Sequence, residues 1–575
     1  MQNNIKKILV IVPMIFLLCM SFIGINVQAE VEVDKQNTTV TTSDQSTESN
    51  KSTNTKVDDS KANKSETVLT ENKDTGSSGS VSSATGIENL FTWKNVDGKL
   101  YYINQDGIVK KTRWFKEKDE NPKANNDYEY YLDKNYAATI GWKEINGLWF
   151  YFDEAGIKQT GWHLIKYSWY HLDDEGVMDI GWIKEDGKKF YLNDEGIMAI
   201  GKKYINNNWY FFGTDGDLQT GFYNNNKKQY YSNKDGIMAA NEWITSKSNN
   251  KYYVKADSGL ATGKTIINDK MEEFNSNGIY IGSTQMEDHL FIKYLSVGDA
   301  DCAFIKLPNG ETALIDTGDV NTSEKVIDFL KKQELKTEDG KGIIDYIIIT
   351  HGHSDHIGGL ASVLDNFKAK KVYMPSDAKM KDWYSDVKVT TESAASIEMM
   401  KTDYDVYNDA VKAMKDKNID FIDTKNGEYI DKNKILQFVQ SDKNFGGIGA
   451  EKISQYYWGI NENSAIVYLN YGDLQALFAA DMEWNSERDF WKSDLLNGRD
   501  VDVLKVPHHG NDTSSTGYFI EYLKADIGII SRAGESIKKN TAYGNLISGG
   551  VSVYETSAKD GLSIYATPEN WTVQN

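Results

Sequence analysis

The sequence predicts an α/β C-terminal half preceded by an all-β solenoid of hairpin repeats. Two patterns carry that reading. Glycine and aromatic residues recur every twenty positions between Trp93 and Gly282, and after Asp288 short apolar strands alternate with helical stretches. A third observation locates the chemistry. Of eight His in 575 residues, five stand at His351, His353, His356, His508 and His509.

A chain of this length divides into several domains rather than one core. Lys6-Lys7 precede an apolar run from Ile8 to Ile25, and Val27-Gln28-Ala29 offers small residues for cleavage, so residues 1–29 read as an export signal. Residues 30–88 are dominated by Ser, Thr, Asn, Asp and Lys, too polar to bury a core, and read as a disordered linker. The expectation is a secreted protein with no stable membrane span after signal cleavage. Cys19 and Cys302 are the only cysteines, which excludes a disulfide framework. With 64 basic and 84 acidic side chains the formal charge is −20. That balance repels phosphate backbones at long range, so no nucleic-acid partner is expected.

Residues 89–284 hold the repeats. Gly141, Gly161, Gly181, Gly201 and Gly221 open successive units, and Gly156, Gly176, Gly196, Gly216 and Gly236 keep the same phase. The pattern predicts a hairpin whose aromatic strand, such as Trp149-Phe-Tyr-Phe152, enters a glycine turn such as Asp153-Glu-Ala-Gly156. Units of this kind cannot bury their faces alone and must stack. They resemble the cell-wall-binding repeats of choline-binding proteins. The resemblance implies aromatic cages for a quaternary ammonium, with Trp142, Trp149, Tyr151, Trp162 and Trp169 as the first candidates and Trp182 and Tyr191 beside them. The implied partner is a cell-wall polymer, through teichoic acid choline or a surface glycan; a plain spacer is the remaining alternative. The signature fades downstream: Lys202 and Phe222 take the opening Trp position, Lys189 and Gln229 the strand Trp, and His171 a Tyr.

Residues 285–575 form the α/β half. Strands are predicted at 289–295, 303–307, 312–316, 343–350, 476–481 and 501–506, with a helix over 323–332 capped by Ser323. The apolar strand Asp345-Tyr-Ile-Ile-Ile-Thr350 delivers His351-Gly-His-Ser-Asp-His356. Imidazole nitrogens and a carboxylate at such spacing suit zinc.

The order Leu314-Ile-Asp-Thr-Gly318, His351-x-His353-x-Asp355-His356, Asp481 and His508 resembles the metallo-β-lactamase superfamily. Val297-Gly-Asp-Ala-Asp301, Asn463-Ser464 and Val506-Pro-His-His-Gly510 narrow it to the branch of the competence-protein C-terminal domain and the phosphorylcholine esterases. The resemblance implies an αββα sandwich and two Zn²⁺. It gives His351 and His353 to one ion, Asp355, His356 and His508 to the other, and Asp481 to both. It makes Asp316 an orienting residue, and Asn463 or a solvent ligand is open as compensation for an incomplete ligand set. Asp355, His356 and His509 are the catalytic candidates, although His509 is equally open to a packing role. No His lies between His356 and His508, where the superfamily supplies another ligand, and the acid for the leaving group is unassigned.

These readings imply a metal-dependent hydrolase, a phosphodiesterase on cell-wall polymers of which a phosphorylcholine esterase is one form. The alternatives are an extracellular nuclease-type phosphodiesterase and a non-catalytic surface adhesin.

Overall fold

The computed structural model describes residues 91–575 except 105, 112, 123, 125, 226–227, 381–393, 441–452, 533, 535, 558–559 and 575; the side chains of 377, 394–396 and 453–457 are also outside the description. The expected export signal and linker therefore lie outside the described residues.

The repeats are antiparallel hairpins, two-stranded except for the first, where Gly107–Ile108 adds a third strand, and the last, where Tyr280–Thr284 does. Gly141–Ile145 pairs with Leu148–Phe152, Gly161–Ile165 with Ser168–Leu172, and Gly181–Glu185 with Lys188–Leu192. The turns are Asn146-Gly147 (φ 54° and 81°) and Asp186-Gly187 (φ 48° and 78°). Two successive positive φ values make a type I′ turn, whose twist matches that of the strands. The expectation from sequence is corrected here: Asp153-Glu-Ala-Gly156 is the link to the next unit, not the hairpin turn. Asp153 Oδ1 accepts from the N–H of Ala155 and Ile157 and so closes that link on itself. The units then stack: Met178 N–H donates to Trp149 O at 2.8 Å and Met198 N–H to Trp169 O at 2.9 Å. A Cβ on Gly196 would lie 2.4 Å from the Met178 sulfur, and its φ is +78°. The glycine period is therefore both a conformational and a packing requirement.

The C-terminal domain has two sheets. The first runs in the order Phe421–Ile422, Lys368–Tyr373, Lys341–Ile348, Thr312–Ile315, Ala303–Lys306, Leu290–Tyr294, Leu562–Ala566, Trp571–Gln574. The second runs Leu436–Gln440, Ile466–Tyr471, Leu474–Phe478, Val503–Lys505, Ile527–Ile530, Ser552–Glu555. Ile292, Ile305 and Ile348 of the first meet Val467, Phe478 and Ile529 of the second in one core, each no more than 1% exposed. Helices Ser323–Lys331, Leu360–Asn366 and Ala394–Asp416 cover the outer face of the first sheet through Val326, Leu330, Leu360, Val363 and Met414. Trp484–Lys492, Gly517–Leu523 and Thr541–Ser548 cover the second through Phe490, Phe519 and Leu546. The layers are thus αββα, as the sequence implies. The first helix is preceded by a 3₁₀ turn in which the Asp319 side chain, rather than Ser323, caps by accepting from Thr322 N–H at 2.9 Å.

The last repeats are joined to this domain. Thr572 Oγ1 donates to Ile266 O at 2.7 Å, Thr567 Oγ1 to Lys264 O at 2.7 Å, and Asn570 Nδ2 to Thr262 O at 2.6 Å. Lys228 Nζ sits 3.4 Å from Asp257 and 3.1 Å from Asp526, and Lys202 Nζ donates to Ser552 Oγ at 3.0 Å while lying 4.4 Å over the Trp209 ring. Asn570→Ala would remove one of two donors to the Thr262 carbonyl, which also accepts from Thr265 Oγ1 at 3.3 Å, so urea unfolding should show a loss of about 0.5–1.5 kcal/mol. An unchanged midpoint would mean the hairpin does not brace the C-terminal strand.

Candidate metal centre

The site lies where strands of both sheets end. Lys341–Ile348 leads into 350–356, Thr312–Ile315 into Asp316, Leu474–Phe478 into Asp481, and Val503–Lys505 into His508-His509. Several of these residues adopt the left-handed backbone that a side chain disfavours: Asp316 (φ 58°), Ala480 (46°), His508 (46°) and His509 (51°). Such strain concentrates where surroundings over-determine a functional geometry. Gly359 lets the first loop close: a Cβ there would lie 2.2 Å from Thr317 O.

The imidazoles are anchored through Nδ1. His356 Nδ1 is 2.8 Å from Asp316 Oδ2, and a carboxylate can only accept. Thr350 Oγ1 gives its one hydrogen to Asp316 Oδ2 at 2.8 Å, so it accepts from His351 Nδ1 at 3.1 Å. His509 Nδ1 faces Ser531 O at 3.2 Å, and His508 Nδ1 faces Thr513 Oγ1 at 2.8 Å. Each Nε2 then turns toward Asp481, which is 2% exposed. Measured to Asp481 oxygens, the Nε2 distances are 3.4 Å for His356, 3.5 Å for His509, 3.9 Å for His508 and 4.0 Å for His351. His353 Nδ1 is 3.2 Å from His351 Nε2.

Asp355, His356, Asp481 and His509 form a group whose ligand atoms lie within 4.8 Å of one another. Asp355 Oδ2 is 3.7 Å from His356 Nε2 and 3.3 Å from His509 Nε2. The geometry therefore groups His509, not His508, with Asp355 and His356. His508 Nε2 lies 3.9 Å from Asp481 Oδ2, the oxygen that His509 Nε2 meets at 3.5 Å, and after burial its charge is among those that lower His353. Asp316 meets the group only through His356 and Thr350. Asn463 is buried, and its amide donates to Gly459 O at 2.6 Å.

Sequence reasoning missed Asp301, Lys505 and Glu483. Lys505 Nζ is 2.5 Å from Asp301 Oδ2, and Asp301 Oδ1 is 3.5 Å from His509 Nδ1. Glu483 Oε1 is 3.4 Å from His508 Nδ1, and burial pushes its carboxyl up to about 8. The signal for Lys505 was a lysine inside an apolar strand run, a placement rare without a partner.

Burial holds His351 well below the ordinary imidazole value and brings His353 to about 4. It lowers His356 too, but Asp481, Asp355 and Asp316 outweigh it and hold that imidazole well above. The carboxylates thus demand positive charge, from a proton or a metal cation. His356 Nε2, His509 Nε2 and Asp481 Oδ1 are buried without a hydrogen-bond partner among the described residues. Orphaned groups of this kind are expensive unless a cation meets them, so the donor set fits a divalent metal.

In the repeats, ring contacts join Trp142 to Tyr151 and Tyr170, Trp162 to His171 and Phe190, and Trp182 to Tyr191 and Tyr210. Among the described residues no ring contact links Trp149 or Trp169 to these groups; both are exposed.

Residues 295–534 match the model of the metallo-beta-lactamase superfamily. This region is a metallo-β-lactamase domain. Residues 139–180 match the choline-binding repeat, and 92–109, 180–198 and 203–218 match the putative cell wall binding repeat. The chain therefore joins choline-binding repeats to a metallo-β-lactamase hydrolase domain. It is 23% identical over 301 residues to ComE operon protein 3 of Bacillus subtilis (strain 168), covering 49% of this chain and 32% of that relative's length. Among solved structures, choline binding protein F of Streptococcus pneumoniae is 28% identical over 32% of this chain and 70% of its own, with a TM-score of 0.29. The modular autolysin LytC of the same species is 15% identical over 77% of this chain and 90% of its own, with a TM-score of 0.28. Among the described residues no helix is long and apolar enough to cross a membrane.

Glu487 holds the loop that carries Thr513. It accepts from the N–H of Ser515 and from Thr516 N and Oγ1, the last two at 2.9 and 2.7 Å. Burial pushes it up from 4.5 to about 7, partly offset by those bonds. A carboxyl raised in the folded state binds more protons than when unfolded, so its contribution is lost as pH rises through about 7. Glu487→Gln should remove that slope. Compared by urea unfolding, the variant should gain on the wild type by on the order of 2–3 kcal/mol between pH 4.5 and 7.5.

Proposed function

We propose that the protein is a two-metal phosphodiesterase held on a cell-wall polymer by its repeats. The observation that carries this reading is the convergence of four imidazoles, each anchored at Nδ1, on the single buried carboxylate of Asp481. His351, His353 and His508 would hold one Zn²⁺; Asp355, His356 and His509 would hold the other; Asp481 would serve both. This division supplies three imidazoles to the first ion, which compensates for the His missing between His356 and His508. A bound pair of such ions supplies Lewis acidity and a nucleophile at neutral pH.

The residues of the chain do the rest. Asp316 fixes the His356 ring from behind, and Thr513 fixes the His508 ring. Asp355 is the most open of the group, with its side chain 33% exposed, and so lies where substrate enters. Glu483, neutral at pH 7 and beside His508, is placed to steady that ring by a hydrogen bond. The clusters around Trp142, Trp162 and Trp182 support a quaternary ammonium ligand such as polymer-borne choline, because stacked ring faces attract cations. Tethering raises the local concentration of substrate without altering the site.

The test is zinc-loaded full chain offered bis(p-nitrophenyl) phosphate, a phosphorylcholine ester, single-stranded DNA and a β-lactam in parallel. Hydrolysis of the phosphodiester and choline ester is expected, falling at least about a hundredfold in Asp355→Ala together with metal content. Cleavage of DNA alone would replace the wall-polymer reading with a nuclease. Fewer than one zinc per chain would favour a non-catalytic adhesin. Separately, Trp142→Ala with Trp182→Ala should weaken retention on choline-bearing resin by about tenfold or more.

A further inference from the structure

Lys505 and Asp301 form a buried ion pair that crosses the seam between the two sheets. Lys505 ends the strand Val503–Lys505 of the second sheet, and Asp301 precedes Ala303–Lys306 of the first; they are 4% and 5% exposed. The ammonium lies 2.5 Å from Asp301 Oδ2 and donates to Val506 O at 3.1 Å. The other carboxylate oxygen faces His509 Nδ1 at 3.5 Å, and Oδ2 is 4.0 Å from His356 Nδ1. The Asp301 backbone ties the same loops together: its N–H donates to Asp355 O at 3.1 Å, and its carbonyl accepts from Gly318 N–H at 2.8 Å.

His509 needs such support. Its backbone is left-handed, and among the described residues the hydrogen-bond acceptor that Nδ1 meets is Ser531 O at 3.2 Å. Asp301 Oδ1, which has no hydrogen-bond partner among the described residues, places a negative charge 3.5 Å from Nδ1 on the same side, and that charge favours the hydrogen on Nδ1 and leaves Nε2 facing Asp355 and Asp481. The carboxylate can do this only while its own charge is met. The cavity beside it, lined by Tyr294, Asp301, Cys302, Asp316, Lys505 and Ser531, measures about 10 Å³, enough for one water at most. A single neutral water cannot supply the charge that the ammonium brings.

We propose that Lys505 is a positioning residue: by pairing with Asp301 it holds His509 with Nε2 directed into the Asp355–His356–Asp481 group. This rests on the two-ion reading above and adds that one ion depends on a lysine that touches neither metal nor substrate. Removing an outer partner of a ligating His typically weakens metal binding about 10–100-fold.

The test is zinc titration of the full chain against a chromophoric chelator, with thermal unfolding run beside it. In Lys505→Met one of the two ions should weaken by about 10–100-fold and the other by less than about threefold, and Lys505→Arg should restore most of the loss. Asp301→Asn should lose the same ion. The double variant Lys505→Met with Asp301→Asn, which strands no buried charge, should lose no more than Asp301→Asn alone, because the lysine acts through the aspartate. Equal weakening of both ions, additive losses, or a double variant that binds two ions as tightly as wild type would each overturn the proposal. Wild-type protein that binds no zinc would overturn the two-ion reading itself, a different result from wild type binding two ions and Lys505→Met matching it.

Discussion

The C-terminal domain is organised around the burial of one carboxylate. Asp481 is 2% exposed and lies at the end of a strand of the second sheet, while the imidazoles of His351, His353 and His356 come from the first. An ionised carboxylate away from water is tolerated only when opposite charge meets it. Burial raises the Asp481 carboxyl, and His509, His356 and His508 overcome this to hold it well below its ordinary range. The two sheets must therefore sit in one register for the charge to be compensated. The close-packed seam of Ile292, Ile305, Val467 and Phe478 fixes that register.

Local pattern made part of this legible. His351, His353, Asp355 and His356 fall within six residues after an apolar strand, so no long-range information was needed to place them together. Asp481 and His508 required a resemblance, since nothing local says that two strand ends more than a hundred residues downstream meet that loop. The choice between His508 and His509 lay beyond either. Adjacent residues on an extended strand point to opposite faces, but both here are left-handed, at φ 46° and 51°. Their rings both reach Asp481 but take different partners at Nδ1, Thr513 and Ser531. Only coordinates carry that difference.

The repeats divide in the same way. The twenty-residue period and the stacked hairpins followed from glycine and aromatic spacing, yet the turn within each hairpin was misplaced by the more conspicuous Asp-x-x-Gly. Asn146-Gly147 and Asp186-Gly187 are the residues able to take two positive φ angles in succession. The aromatic clusters show a related slip. Alternation groups Trp149 with Tyr151 on one strand, whereas the ring partners of Tyr151 include Trp142 across the hairpin, which in turn meets Tyr170 of the next unit. Contact across strands and between units, not position along one strand, decides which rings meet.

The fading of the repeat signature has a structural reason of its own. Lys202 replaces the opening Trp, and its ammonium lies over Trp209 while reaching Ser552 of the C-terminal domain. In the next unit Lys228 reaches Asp526, and at the end of the one after it Lys255 lies 5.0 Å from the Trp571 ring. Lys202 and Lys228 stand in units whose opening Trp is replaced, and both reach the other domain. A cation supplied by the chain itself takes the place over Trp209, so attraction between charge and ring serves docking there. The aromatic signature stays denser in the earlier units, with Trp142, Trp162 and Trp182. One repeat scaffold thus divides its length between an outward-facing aromatic surface and an inward-facing brace.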